Sequence, residues 1–125
     1  MKKPESSKER NLIKGALRRV FSRSEVRLEA LKKNRIEHSD PTRPRVTKWA
    51  WCSECGLIEA AYQMQVDHIN PVIDLHQSLD DMTWDQVVGR LWCDLSNLAV
   101  ICKPCHKLKS KIENQERRRI KKGRK

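Results

Sequence analysis

The 125-residue sequence predicts a small α+β domain with basic helices at both ends. Three observations support this class. Apolar residues recur at helical spacing near the N-terminus, two short apolar segments in the middle resemble strands, and two Cys-x-x-Cys pairs flank those segments. A chain of this length suits one domain with appendages, and a small folded centre benefits from a cross-link.

The N-terminal segment is predicted to contain two basic helices followed by a linker. Residues 6–21 have apolar side chains at helical spacing with Arg and Lys opposite. Ser22 and Glu25 are spaced as a capping box, which predicts a second helix to about Ile36. HSDPTRPRVTK, residues 38–48, has two prolines and no periodicity, as linkers do. These helices either pack on the domain or form a solvated basic face.

The middle and C-terminal segments alternate short strands with helices. Residues 62–66 alternate weakly and suit a short strand, and residues 98–101 suit a short buried strand or turn. Thr83 begins a second capping box, which predicts a helix over residues 84–92 with Val87, Val88 and Leu91 facing the core. A last helix is predicted over residues 103–119, because its early proline suits a first turn.

Charge is distributed unevenly along the chain, whose net charge is +11. Residues 1–48 carry 15 Lys and Arg against 6 Asp and Glu, residues 49–106 carry 2 against 8, and residues 107–125 carry 10 against 2. Basic segments attract polyanions through counterion release, and an acidic centre can hold a divalent cation. On charge alone the partner is RNA, DNA or an anionic membrane surface.

The sequence contains no membrane or secretion signal. It has no apolar run of about 18 residues that could span a bilayer. The N-terminal MKKPESSKERNLIKGALRR is basic but lacks the apolar region of a secretory signal. We therefore expect a cytoplasmic location, where the five cysteines would not form a disulfide framework.

Two Cys-x-x-Cys pairs predict a structural zinc site. Two residues between cysteines allow both sulfurs to bind one tetrahedral zinc ion, and a second pair completes the four ligands. A redox-active set of thiols is the weaker alternative because the two pairs match. Cys93 is expected to be a small buried residue near Trp92. The four predicted ligands are Cys52, Cys55, Cys102 and Cys105.

His106 follows the second pair directly. The string CKPCH, residues 102–106, also matches covalent haem attachment, but that chemistry needs export and leaves the first pair unexplained. Neighbouring helical residues diverge by about 100°. If Cys105 binds zinc, His106 should therefore face a second site.

Asp67 and His68, in QVDHINPV, are candidates for that second site together with Asn97 and His106. A carboxylate and an imidazole suit Mg²⁺, Mn²⁺, Ni²⁺ or Zn²⁺, and a free imidazole can act as a general base near neutral pH. Consecutive strand residues point to opposite faces, so Asp67 and His68 share one cleft only if the strand ends or twists there. Taken singly, these residues are ordinary surface, hydrogen-bonding or turn residues.

Taken together, the order CSEC, VDHINPV and LSNLAVICKPCHKLKS resembles the HNH endonuclease family, the zinc-stapled branch of the ββα-metal (His-Me finger) nucleases. That family, with phage and homing members, reads CxxC, then D-H-I-x-P, then N-L before CxxCH and a lysine. Its three letters fall on His68, Asn97 and His106. The insert DLHQSLDDMTWDQVVGRLWCD, residues 74–94, departs from the pattern, and its acidic residues would repel DNA if they faced it.

The resemblance implies a ββα-metal nuclease core over residues 49–112. A basic helical arm and linker, residues 1–48, would precede it, and a basic helix end and tail, residues 113–125, would follow it. The implied activity is metal-dependent DNA cleavage to a 5′-phosphate and a 3′-hydroxyl. Whether the protein acts as a monomer or a homodimer, and whether it nicks or cuts both strands, is left open.

The resemblance also implies a role for each candidate residue. Asp67 and His106 would hold a catalytic Mg²⁺, Mn²⁺ or Ni²⁺, His68 would be the general base, and Asn97 would orient the loop that presents His68. Phosphate contacts are assigned to three lysines of the last helix: Lys107, Lys109 and Lys111.

Two non-enzymatic alternatives remain at this point. One is a zinc-stapled nucleic-acid-binding protein without catalysis, and the other is an accessory protein on a degenerate nuclease scaffold. Basic segments that contact only the backbone predict DNA binding with strong salt dependence and little sequence preference.

Overall fold

The computed structural model describes residues 6–123, which form four α-helices and two small β-sheets. This architecture confirms the α+β class. The helices are α1 (Ser7–Phe21), α2 (Glu25–Lys33), α3 (Trp84–Leu91) and α4 (Lys103–Gly123). The strands are β1 (Arg35–Ile36), β2 (Trp49–Trp51), β3 (Ile58–Ala60), β4 (Met64–His68) and β5 (Leu98–Cys102). None of the helices described within residues 6–123 combines the length and apolar character needed to cross a membrane.

The N-cap observed at α3 is the predicted one, whereas the N-cap observed at α2 differs from the prediction. Thr83 and Gln86 form the predicted capping box at the start of α3. At α2 the N-cap is Ser24, whose hydroxyl accepts from the Arg27 amide, so the capping box predicted at Ser22 was wrong. The helix also ends before Ile36, because that residue pairs with β2 in antiparallel register.

Two antiparallel sheets organise the centre of the chain. The first has the strand order β1-β2-β3, and the second pairs β4 with β5. The register of the second sheet is regular from Met64 opposite Cys102 to His68 opposite Leu98. The end of β5, where α4 begins, lies opposite Met64 at the start of β4. The helix then runs back along β4, so that Asp67 near the end of the strand meets His106 and Lys109 in the first turns of α4.

The core consists of two clusters that share contacts with Val66. The first cluster includes Phe21 of α1 and Ala30 of α2, so the N-terminal helices pack on the domain. The predicted core face of α3 was correct for two of its three residues, because Val88 is exposed. The first cluster contains Phe21, Ala30, Val72, Leu79, Met82, Val87, Leu91 and Leu98, and the second contains Ala50, Cys52, Met64, Val100, Ile101 and Cys102.

The acidic insert is docked against α1. Arg10 donates hydrogen bonds to the carbonyls of Leu79 (3.0 Å) and Met82 (2.7 Å), and its guanidinium lies 4.6 Å from the centre of the Trp84 ring. Asp80 lies 3.5 Å from the Arg10 guanidinium and accepts from Ser7 at 3.0 Å. Part of the insert's negative charge is therefore neutralised within the molecule.

Candidate metal centre and cleft

The four predicted cysteines meet at one place, where their sulfurs all lie within 4.8 Å of one another. The turn between β2 and β3 supplies one pair, and the end of β5 with the start of α4 supplies the other. Gly56 follows the first pair at a φ of 77°, a conformation that favours glycine. Four converging sulfurs are a donor set that suits zinc, so this cluster can hold a metal ion.

The pKa values of the cysteine thiols also bear on whether the cluster can bind a cation, because a metal ion binds the ionised thiolate. Burial opposes ionisation of Cys52, but backbone N–H donors, including those of Cys55 and Cys102, outweigh it and lower the pKa of Cys52 to about 6. The hydrogen bond with the Cys102 side chain, burial and the other sulfurs raise the pKa of Cys105. One sulfur therefore ionises readily, and a bound dication would favour ionisation of the rest.

Asp67 and His68 project from successive positions of β4 and have different surroundings. The strand keeps its regular pairing to His68 and ends there, after which the Ile69 amide donates to the Asn97 carbonyl at 2.8 Å. Asp67 faces α4: its Oδ1 lies 3.8 Å from Nε2 of His106, and its Oδ2 pairs with Nζ of Lys109. A carboxylate oxygen and an imidazole nitrogen thus converge from a strand and a helix.

His68 is buried, with only 8% of its surface exposed. Its Nε2 donates to the Leu91 carbonyl at 2.7 Å, and its ring centre lies 5.1 Å from that of Phe21. Burial is the main cause that lowers the pKa of His68, although the bond to Leu91 acts in the opposite direction. The imidazole is therefore neutral near pH 7, and because a carbonyl can only accept, its lone pair is on Nδ1.

Asn97 fixes the turn that follows His68. Its Oδ1 accepts from the Asn70 amide at 2.9 Å, and its Nδ2 donates to the Asn70 carbonyl at 3.4 Å. Together with the contact to Ile69, these bonds tie the exit of β4 to the entry of β5. The orienting role of Asn97 stays a prediction.

The three lysines predicted to contact phosphate differ in their surroundings. Lys109 pairs with Asp67 and donates to the His68 carbonyl at 2.8 Å, so its ammonium group already has partners. Lys107 and Lys111 are exposed and do not line the cleft. Phosphate binding by these lysines remains a prediction.

A cleft of about 780 Å³ brings the chemical residues together. Its walls come from α1, β4, the insert and α4, and Asp67, His68 and His106 all line it. The same walls carry Lys14, Arg18 and Arg117, which sequence reasoning did not single out. The spacing of Lys14 and Arg18 by four residues on a basic helix was a signal, but nothing in the sequence indicated which face of the helix meets the cleft.

Comparison of the chain with protein-family models, with curated proteins and with solved structures gives no significant match. The class of site is therefore defined by its geometry. It is a cleft with a carboxylate–imidazole pair and a buried second imidazole, next to a four-cysteine cluster.

Proposed function

We propose that this protein is a metal-dependent DNA endonuclease of the HNH type. The observation that carries the proposal is the convergence of Asp67, His68 and His106 on one cleft, with Oδ1 of Asp67 3.8 Å from Nε2 of His106. The order β4, β5 and α4 supports it, since a ββα-metal core consists of two antiparallel strands and a helix in that order. The net charge of +11 supports a polyanionic substrate.

The cysteine cluster is proposed to hold a structural zinc ion. All four positions are cysteines, as in closed sites that leave no position for substrate. The ion would join the β2–β3 turn to the start of α4. It would thereby hold His106, which directly follows the ligand Cys105, opposite Asp67.

Asp67 and His106 fit a second, catalytic cation. Ligand atoms bonded to one ion at about 2.0–2.2 Å can be up to roughly 4 Å apart, and the two atoms are 3.8 Å apart. A Mg²⁺, Mn²⁺ or Ni²⁺ ion bound there would stabilise negative charge on the phosphate and on the leaving 3′ oxygen. Lys109 provides the positive charge beside Asp67 in the present arrangement.

His68 is proposed to be the general base. It would accept a proton from the attacking water at Nδ1, because the Leu91 carbonyl holds the proton on Nε2. The lowered pKa keeps the imidazole unprotonated near pH 7. Asn97 would keep the turn after His68 in place through its two bonds to Asn70. Cleavage would leave a 5′-phosphate and a 3′-hydroxyl.

The test is incubation of supercoiled plasmid with the protein in Mg²⁺, Mn²⁺ or Ni²⁺ and in EDTA. We expect metal-dependent conversion to open-circular or linear DNA. The rate should fall at least 100-fold in His68→Ala, since general acid–base catalysis contributes about 10²–10⁴-fold, and it should also fall strongly in His106→Ala, which removes a ligand of the proposed catalytic cation. His38→Ala is the matched control, because His38 packs on Trp49 and does not line the cleft. Equal activity in all four proteins would refute the proposal.

A non-catalytic nucleic-acid-binding protein is the second candidate. The observation that favours it is the ion pair between Lys109 and Asp67, which gives the carboxylate a partner without a metal. The plasmid assay distinguishes the two candidates. A protein that only binds DNA would form a salt-sensitive complex with the plasmid but would leave it supercoiled with every metal ion.

A further inference from the structure

The cleft has a cationic wall that the proposed chemistry does not use. Lys14 and Arg18 lie one turn apart on α1, Arg117 lies on α4, and all three line the cleft that contains Asp67 and His106. We infer that these three residues bind a phosphate group of the nucleic-acid backbone beside the phosphate that is cleaved. The inference rests on the proposed function for the class of substrate, and it assigns the residues that hold that substrate.

The three cations line one cleft, and Lys14 is affected by the charges of the other two. Burial, followed by the charges of Arg18 and Arg117, lowers the pKa of Lys14, as expected if both guanidinium groups lie near its ammonium group. Among residues 6–123, no Asp or Glu forms an ion pair with any of the three. A bound phosphate would relieve their repulsion and accept charge-assisted hydrogen bonds.

Arg117 is held in place for such a contact. Its guanidinium donates to the carbonyls of Ile73 and Asp74, the latter at 3.1 Å. Backbone carbonyls orient a guanidinium but do not neutralise its charge, so Arg117 stays a fixed positive group on the wall. This arrangement also links α4 to the start of the insert.

The position of the wall fits a phosphate chain that passes through the cleft. Arg18 lines the same cleft as His68, the proposed base, and His106. Asp80, an acidic group on the same cleft, is paired with Arg10 and Ser7. The wall can therefore attract an anion without strong opposition from the insert.

The sharpest test compares Arg18→Gln with Arg19→Gln. Both arginines are exposed and lie in the last turn of α1, but Arg19 lines a different depression, beside Trp92. Binding of a short fluorescent DNA duplex to the zinc-loaded protein is measured by anisotropy over a range of salt concentrations, without added Mg²⁺, Mn²⁺ or Ni²⁺. Arg18→Gln should weaken binding roughly tenfold and reduce the slope of log K against log salt by about 0.9, as expected for one lost phosphate contact. Arg19→Gln should change affinity less than about twofold.

Lys14→Gln provides a second, independent variant and should weaken binding like Arg18→Gln, with Lys8→Gln as its control on the same helix. Circular dichroism and thermal unfolding verify that all four variants are folded. Equal losses in Arg18→Gln and Arg19→Gln, or no loss in Arg18→Gln, would overturn the inference.

The result is separable from the endonuclease proposal. If the wild type leaves plasmid intact but DNA binding depends on Arg18 and Lys14, the endonuclease proposal fails and the phosphate-binding wall stands. If the wild type nicks plasmid and the Arg18 and Arg19 variants bind DNA equally, the wall fails and the endonuclease proposal stands.

Discussion

At the scale of single residues, His68 packs in the core and also lines the candidate site. Its ring packs on Phe21 and donates to the Leu91 carbonyl, yet it also borders the cleft. The burial that fixes the ring also disfavours its charged form. The position of the ring and its protonation state therefore have the same cause.

Protonation of His68 should destabilise the folded state. An unfolded histidine has a pKa of about 6.5, and the folded pKa is lower, so below pH 6.5 the unfolded chain binds more protons. Stability should fall as the pH decreases through about 6.5. Thermal unfolding at about pH 7.5 and 5.5 should show a larger decrease in melting temperature for the wild type than for His68→Gln. His38→Gln should behave as the wild type; equal decreases in the wild type and His68→Gln would contradict the prediction.

Lys109 should compete with a divalent cation for Asp67. Removing the ammonium in Lys109→Met frees the carboxylate, and partly exposed ion pairs contribute up to about 1 kcal/mol, so Mn²⁺ affinity should rise roughly fivefold. Calorimetric titration of the zinc-loaded protein measures the affinity. Lys111→Met, which changes an exposed lysine on the same helix, is the control. Equal Mn²⁺ affinities for the two variants would show that no competition occurs.

At the scale of elements, the four-cysteine cluster joins parts of the chain that are far apart in sequence. Cys52 and Cys55 lie at the β2–β3 turn, whereas Cys102 and Cys105 lie where β5 becomes α4. The same junction positions His106 one residue later. Removal of the zinc ion proposed for this cluster should therefore affect the stability of the fold and the cleft together.

Cys55→Ser should bind less zinc than the wild type and unfold at a lower temperature. Structural zinc contributes about 10–16 kcal/mol of binding free energy in small peptides, so the loss of one ligand should remove several kcal/mol of stability. Zinc content is measured with a colorimetric chelator after denaturation, alongside thermal unfolding. Cys93→Ser is the matched control, since Cys93 lies outside the cluster. One zinc per chain in both variants would exclude Cys55 as a ligand.

At the scale of the whole molecule, the N-terminal helices are part of the packed body. Phe21 of α1 and Ala30 of α2 are buried in the same cluster as Leu91 of α3 and Leu98 of β5. The helices thus complete the core that supports His68. Basic residues on their exposed faces remain available to a polyanion.

Phe21→Ala should destabilise the whole protein by about 3–5 kcal/mol, because it opens a cavity in this cluster. Val20→Ala changes the neighbouring residue, which is 61% exposed, and should cost less than about 0.5 kcal/mol. Urea denaturation measures both values. A small effect of Phe21→Ala would mean that α1 is a separate arm after all.

Local patterns accounted for most of the elements. Helical periodicity predicted α1, the Thr83 capping box predicted α3, and the spacing of the cysteines predicted their cluster. The predicted bounds of α2 were wrong at both ends, once because two local signals compete and once because a distant strand intervenes. Ser22 and Ser24 are both possible N-caps. Arg35 and Ile36, which follow the C-cap Asn34, became a strand because β2 offered hydrogen bonds that no local pattern reveals.

The sequence by itself determined that four helices form, that the cysteines occur as two matched pairs, and which acidic, basic and histidine side chains are candidates for a site. These features depend on the spacing of residues that are neighbours along the chain. Only the tertiary structure decided that Lys109 pairs with Asp67, that the insert docks on α1 and that Lys14, Arg18 and Arg117 line one cleft. These contacts join residues up to about a hundred positions apart. They depend on which faces of the elements pack together, and packing is a property of the folded chain.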